Sequence, residues 1–181
     1  MQMEMVLTIM ATDRPGIVEL LSDIVVRYEG NWVDSAMSRL GGEFAGILRI
    51  ELDDSKALGL EKALAALGED GIAIFVRKGN AADELPAAPK GREAYFEVIG
   101  QDHKGIVRDV SRVLAKNKVN VDELRTHIFE GSMTGEHMFS AEADIVLPDG
   151  LEMEQLCEQL EDLASDLMVD VKMCSIRGKQ P

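Results

Sequence analysis

Asp13-Arg14-Pro15-Gly16-Ile17-Val18 stands between an apolar run and a helix-like run, and Asp102-His103-Lys104-Gly105-Ile106-Val107 stands in the same setting 89 residues later. The same shift lays Ser22 on Ser111 and Asn31 on Asn120. The apolar frame moves with it, since Leu7, Ile9, Leu21, Ile24 and Val25 fall on Phe96, Val98, Val110, Val113 and Leu114. A fixed offset kept over some thirty residues marks a tandem duplication, and an internal repeat governs every later reading of a chain. The Asp-x-x-Gly turn is its most sharply repeated part.

Outward from the first turn, Met5 to Met10 is long enough for a strand and too short for a helix. Pro15 suits the first helical position, where its missing N–H costs no ladder bond. Ile17, Leu20, Leu21, Ile24 and Val25 recur at helical spacing, and Gly30 ends that helix. Asn31 to Leu40 reads as a strand of weak alternation, and Gly41-Gly42 as a hairpin. Phe44, Leu48, Ile50 and Leu52 share one parity of the next strand, opposite Glu43, Arg49 and Glu51. Ala57, Leu60, Leu64 and Leu67 line a second helix closed by Gly71, and Ile72 to Val76 is the last strand. The order βαββαβ is ferredoxin-like.

Residues 79–92 carry Pro86, Pro89, two glycines and no apolar period, which predicts a linker. The domains are therefore expected at 1–78 and 93–181. In the second copy the offset grows from 89 to 95 after the second strand, so six extra residues belong to the hairpin near Glu130–Glu136. Met153, Leu156, Leu160, Leu163 and Leu167 mark the second helix, and Val169, Val171 and Met173 the closing strand. The fold class is α+β, two tandem ferredoxin-like domains.

Charge narrows the function. With 19 Lys and Arg against 33 Asp and Glu, the net charge is −14. Such a surface repels phosphates, so direct nucleic-acid binding is disfavoured. The apolar runs are shorter than the roughly 20 residues a membrane span needs, and the N-terminus shows no signal-peptide pattern, so a cytoplasmic protein is expected. Cys157 and Cys174 lie in or beside apolar runs and read as buried thiols. No Cys or His spacing suits a metal, and no cofactor motif stands out. His127 and His137 could face each other across the second hairpin near Glu136, but Ser38 replaces His127 in the first copy. Catalysis is not expected. Trp32, the one tryptophan, is either core or an interaction anchor.

The turn itself admits two readings. First-turn N–H groups lack internal partners and carry the positive end of the helix dipole, which suits a carboxylate. Gly16 and Gly105 would let a ligand reach the backbone, and a Cβ at Gly16 is expected to obstruct it at little cost to the fold. Asp13 and Asp102 could accept from an ammonium group. Asn31 and Asn120, at the second strands, could reach a site from a neighbouring copy. Arg14, Ile17, His103 and Ile106 complete the candidate set. In the other reading the aspartates merely cap helices and the glycines relieve crowding.

The Asp-Arg-Pro-Gly-Ile-Val turn after an apolar strand, the Asn at the second strand and the βαββαβ order resemble ACT domains. These are regulatory modules that commonly bind amino acids at interfaces between copies. Two such units over residues 3–78 and 93–177 look like the glycine cleavage system transcriptional repressor family; the second turn, with Lys104 for Pro15, is the looser match. The resemblance implies a non-catalytic regulator, a homo-oligomer (a dimer), that binds glycine or a similar amino acid and represses transcription indirectly by antagonising a LysR-type activator. A ligand-free protein-interaction module and an amino-acid sensor of another pathway are the alternatives.

Overall fold

The computed structural model describes residues 2–79, 90–131 and 135–175. The chain divides into two compact units, residues 1–86 and 87–181. Unit 1 runs β1 (Gln2–Thr12), α1 (Ile17–Arg27), β2 (Asn31–Leu40), β3 (Glu43–Asp53), α2 (Asp54–Ala66), a 3₁₀ turn (Leu67–Asp70) and β4 (Ile72–Gly79). Unit 2 runs β5 (Arg92–Gln101), α3 (Ile106–Lys116), β6 (Asn120–Glu130), β7 (His137–Leu147), α4 (Met153–Leu167) and β8 (Val169–Ser175). Each forms an antiparallel four-stranded sheet, ordered β2-β3-β1-β4 and β6-β7-β5-β8. The βαββαβ reading holds in both. Of the expected linker, residues 80–89 lie outside the described residues; β4 extends to Gly79 and β5 begins at Arg92.

The alternation seen in the sequence becomes a two-sided sheet. Met5, Leu7 and Ile9 of β1 and Leu48, Ile50 and Leu52 of β3 are buried against Leu21 and Val25 of α1 and Leu60 and Leu64 of α2. In unit 2, Phe96, Val98, Ala143 and Ile145 meet Ile106, Val110, Leu156 and Leu160 in the same way. Burying a side chain of this kind contributes roughly 1.5–3 kcal/mol. Asp53 caps α2, its carboxylate accepting from the Ser55 N–H at 3.0 Å and the Ser55 hydroxyl at 2.6 Å. These two bonds are the largest of the causes that pull its carboxyl down to about 2.

The sheet faces turned away from the helices differ. In unit 1 the register sets Phe75, Thr8 and Ile47 side by side, and Phe75 is 73% exposed. In unit 2 it aligns Lys172, Glu97, Glu142 and Arg125. This row is largely apolar in the first unit and charged in the second.

Three expectations need correction. The first helix begins at Ile17 with Gly16 as its cap, so Pro15 precedes the helix instead of occupying its first position. The histidines of the second hairpin are not opposite each other: His127 pairs with Ser140 and His137 with Glu130, because the register runs through a longer hairpin. His127 stacks at a tilt on Phe129, with ring centroids 5.5 Å apart. Cys157 is half-buried, not buried, and its thiol is pushed up by burial and by Glu161 and Glu154. The side chain of Cys174 lies outside the described residues.

Candidate functional site

Each Asp-x-x-Gly turn is clamped on two sides. The Asp13 N–H donates to the Gly42 carbonyl at 2.9 Å, and the Asp102 N–H to the His137 carbonyl at 2.9 Å, so both turns are tied to their hairpins. The next residue reaches the other way. Arg14 Nη2 donates to the Asp70 carbonyl at 2.9 Å, and His103 Nε2 lies 3.0 Å from the Leu167 carbonyl. A carbonyl can only accept, so that nitrogen of His103 carries a proton. Both side chains thus fasten the turn to the end of the second helical segment, where cations and N–H donors suit unsatisfied carbonyls.

Gly16 and Gly105 have φ of +94° and +105°. Left-handed backbone excludes most side chains, so both glycines are required by the turn before any ligand is considered. Substitution at Gly16 therefore strains the fold, contrary to the small cost expected from the sequence. The glycine carbonyls open the helices by accepting from Leu20 N–H at 2.9 Å and Asp109 N–H at 3.0 Å. Neither helix has a side-chain cap at its N-terminus. Asp13 and Asp102 thus do not cap; Asp13 Oδ2 instead pairs with Arg39 Nε at 2.8 Å.

Unit 1 is open where unit 2 is not. A Cβ on Gly16 would meet nothing within 4 Å, whereas one on Gly105 would lie 3.2 Å from Arg108 Nη2 and 3.5 Å from Asp109 Oδ2. Asp109 is held by Arg108 at 2.8 Å and Arg112 at 3.5 Å, and the Arg108 hydrogen bond keeps its carboxyl below the ordinary range. The paired Arg108 and Asp109 side chains thus occupy the approach to the second turn that is open at the first. Beside the first turn is a hollow of about 300 Å³ lined by Thr12, Asp13, Arg14, Asp70 and Gly71.

The remaining candidates fall elsewhere. The Ile17 and Ile106 side chains are buried in their cores, which leaves only their backbone N–H groups to a ligand. Asn31 pairs with Glu51 and Glu51 with Glu4, while Thr12, at the turn, pairs with Glu43. Glu4 and Thr12 are eight residues apart on β1, so Asn31 is about 27 Å from the turn at roughly 3.3 Å per residue. Asn120 starts β6 in the same way and donates to Asp122 Oδ1. Arg39, the partner of Asp13, was not identified from the sequence; an Arg and an Asp 26 residues apart carry no local signal. Among the described residues no three His, Cys, Asp or Glu groups gather in a metal-holding arrangement.

Residues 4–76 match the ACT domain family. A solved structure of an unknown protein from Galdieria sulphuraria is 27% identical, with 97% of this chain and 99% of that one covered and a TM-score of 0.81. A second solved structure, of a protein assigned provisionally as a glycine cleavage system transcriptional repressor, is 19% identical over 98% of this chain and 99% of that one, with a TM-score of 0.72. At that identity the likeness concerns the fold. No curated protein matches the chain. The ACT architecture is present twice, once in each unit.

Proposed function

We propose that this doubled ACT architecture serves a non-catalytic regulator that binds glycine or a similarly small amino acid at the first turn. Modules of this architecture generally bind small ligands and mediate regulation, and the specific ligand is part of the proposal. The observation that carries it is the open N-terminus of α1: no side chain caps it, and nothing stands within 4 Å of the Cβ position at Gly16. The N–H groups of the first turn can take a carboxylate, and Asp13, in the adjoining hollow, can take the ammonium. Asn31 joins only from a second unit. Antiparallel pairing of β2 with another unit's edge strand would bring the start of one strand to the turn end of the other.

Regulation then runs through a protein. A net charge of −14 opposes phosphate contact, which supports indirect repression by way of a LysR-type activator. The exposed Phe75, Met10 and Ile47 favour the second reading, a ligand-free interaction module, because a patch of that kind marks a protein contact. A thermal-shift panel of the twenty amino acids separates the two. Under the first reading glycine or a close analogue at about 100 times its Kd adds roughly 2.7 kcal/mol of stability. A flat panel, with melting unmoved by every amino acid, favours the second.

A further inference from the structure

The duplication provides its own control for the sheet face turned away from the helices. In unit 1 the register runs Phe75, Thr8, Ile47 and Ala36 in one row across the strands, with Met10 beside Ala45 in the next row. All six are exposed, Phe75 by 73%, Met10 by 55% and Ile47 by 54%. In unit 2 the first of these rows becomes Lys172, Glu97, Glu142 and Arg125 on the same backbone. The fold therefore does not require an apolar face there, and an exposed apolar patch whose twin is charged marks a contact.

The patch is complementary to itself. A two-fold axis lying along the strands, between two such sheets, lays each row reversed on its copy. Phe75 then lies over Ala36 of the second copy, Ile47 over Thr8 and Met10 over Ala45, so each large side chain meets a small one. One row further along, Arg77 at one edge meets Asp34 at the other, and both are exposed. The Asp34 carboxylate already holds Arg49 at 2.6 Å and keeps room for another donor. Strands about 4.8 Å apart and same-face residues about 6.8 Å apart make four rows roughly 19 by 27 Å, on the order of 1,000 Å² per pair of copies. That is the lower bound of a specific interface and the size of a reversible one. A charged row like that of unit 2 is a poor occupant, because an apolar face leaves its carboxylates unpaired.

We propose that the open sheet face of unit 1 packs on the same face of a second copy of this chain, sheet on sheet, about that axis. The strands of the two sheets stay within about 30° of each other and the sheets about 10 Å apart. The contact uses neither helix of unit 1 nor the free edge of β2, and it holds whether or not the first turn takes an amino acid.

A disulfide across the axis tests it on the full chain. Ser38 and Ala73 end the Met10 row at opposite edges of the sheet, about 14 Å apart within one copy at three strand spacings. That is about twice the roughly 7 Å reach of a disulfide, whereas the axis lays Ser38 of one copy over Ala73 of the other. Inter-sheet disulfides close a gap of this kind in immunoglobulin domains. Ser38→Cys/Ala73→Cys should form a cross-linked dimer on non-reducing gels at concentrations where the wild type, with its own cysteines, and either single variant do not. Phe75→Lys/Ile47→Glu carries the unit 2 residues at the patch. It should raise the Kd of concentration-dependent association at least about tenfold, read by sedimentation velocity at about 0.15 M salt. Added to Ser38→Cys/Ala73→Cys, it should cut the cross-linked yield likewise. Phe75 and Ile47 are exposed, so the diluted variant should melt as the wild type does. No cross-link in Ser38→Cys/Ala73→Cys, equal cross-linking by a single variant, or association unmoved by Phe75→Lys/Ile47→Glu would each overturn the proposal. So would a fall in the melting temperature of that diluted variant, which would place the cover of the patch within the chain.

Discussion

Gly16→Ala is the sharpest probe of the turn. At φ +94° an L-residue is strained, and the open space around the Cβ means that no clash adds to the cost. Left-handed backbone costs roughly 1–2 kcal/mol for a residue with a Cβ. In a unit of this size each kcal/mol moves Tm by about 4–8 °C, so a fall of about 4–16 °C in the unit 1 transition is expected. Gly68→Ala is the matched control. Its Cβ would also meet nothing within 4 Å, but its φ is not in the left-handed range, so the loss of unfolded-state freedom leaves it neutral or stabilises by about 0.4–1 kcal/mol. Both are read by calorimetric melting beside the wild type. Equal melting of Gly16→Ala and Gly68→Ala would refute the claim that backbone geometry requires the first glycine.

Three further outcomes follow from the fold and the charge. Leu160→Ala removes a fully buried side chain and should destabilise unit 2 by about 2–5 kcal/mol, seen by hydrogen exchange as lost protection in β5–β8 with β1–β4 unaffected. Asp53 has a folded value of about 2, below the roughly 3.9 of an unfolded chain; its contribution is present above about pH 4 and is lost as pH falls towards 2. Asp53→Asn should keep the cap but remove that share of the acid sensitivity, which urea titrations from pH 5 to about 2 would register. Gel shifts of the protein alone at about 100 mM salt should show no sequence-specific DNA retention, because its net charge opposes phosphate contact.

The sheet architecture was legible because buried strands alternate. Leu48, Ile50 and Leu52 announced β3, and all are buried. β2 was faint for a physical reason: it is an edge strand, largely exposed, so only Trp32 and Met37 need to be apolar to pack on the core. β6 is exposed along almost its whole length and was fainter still. The turn was legible as a repeat but not as a geometry. Nothing local distinguishes a glycine kept for its backbone angle from one kept for a ligand, and both Gly16 and Gly105 turn out to need the angle. The Asp13–Arg39 pair depends on how α1 and β2 fold back, which sequence spacing does not encode.

Calorimetric titration of glycine into the wild type and into Asp13→Asn tests the central claim most directly. Asn keeps the size of the side chain and removes its charge. Since Arg39 is 70% exposed, losing its ion pair with Asp13 should cost the fold little. The account predicts saturable binding of one small amino acid by the wild type, weakened by about 1.5–3 kcal/mol in Asp13→Asn through the lost charge-assisted bond to the ammonium. Binding of equal strength in the two proteins, or no heat from any small amino acid in the wild type, would contradict it.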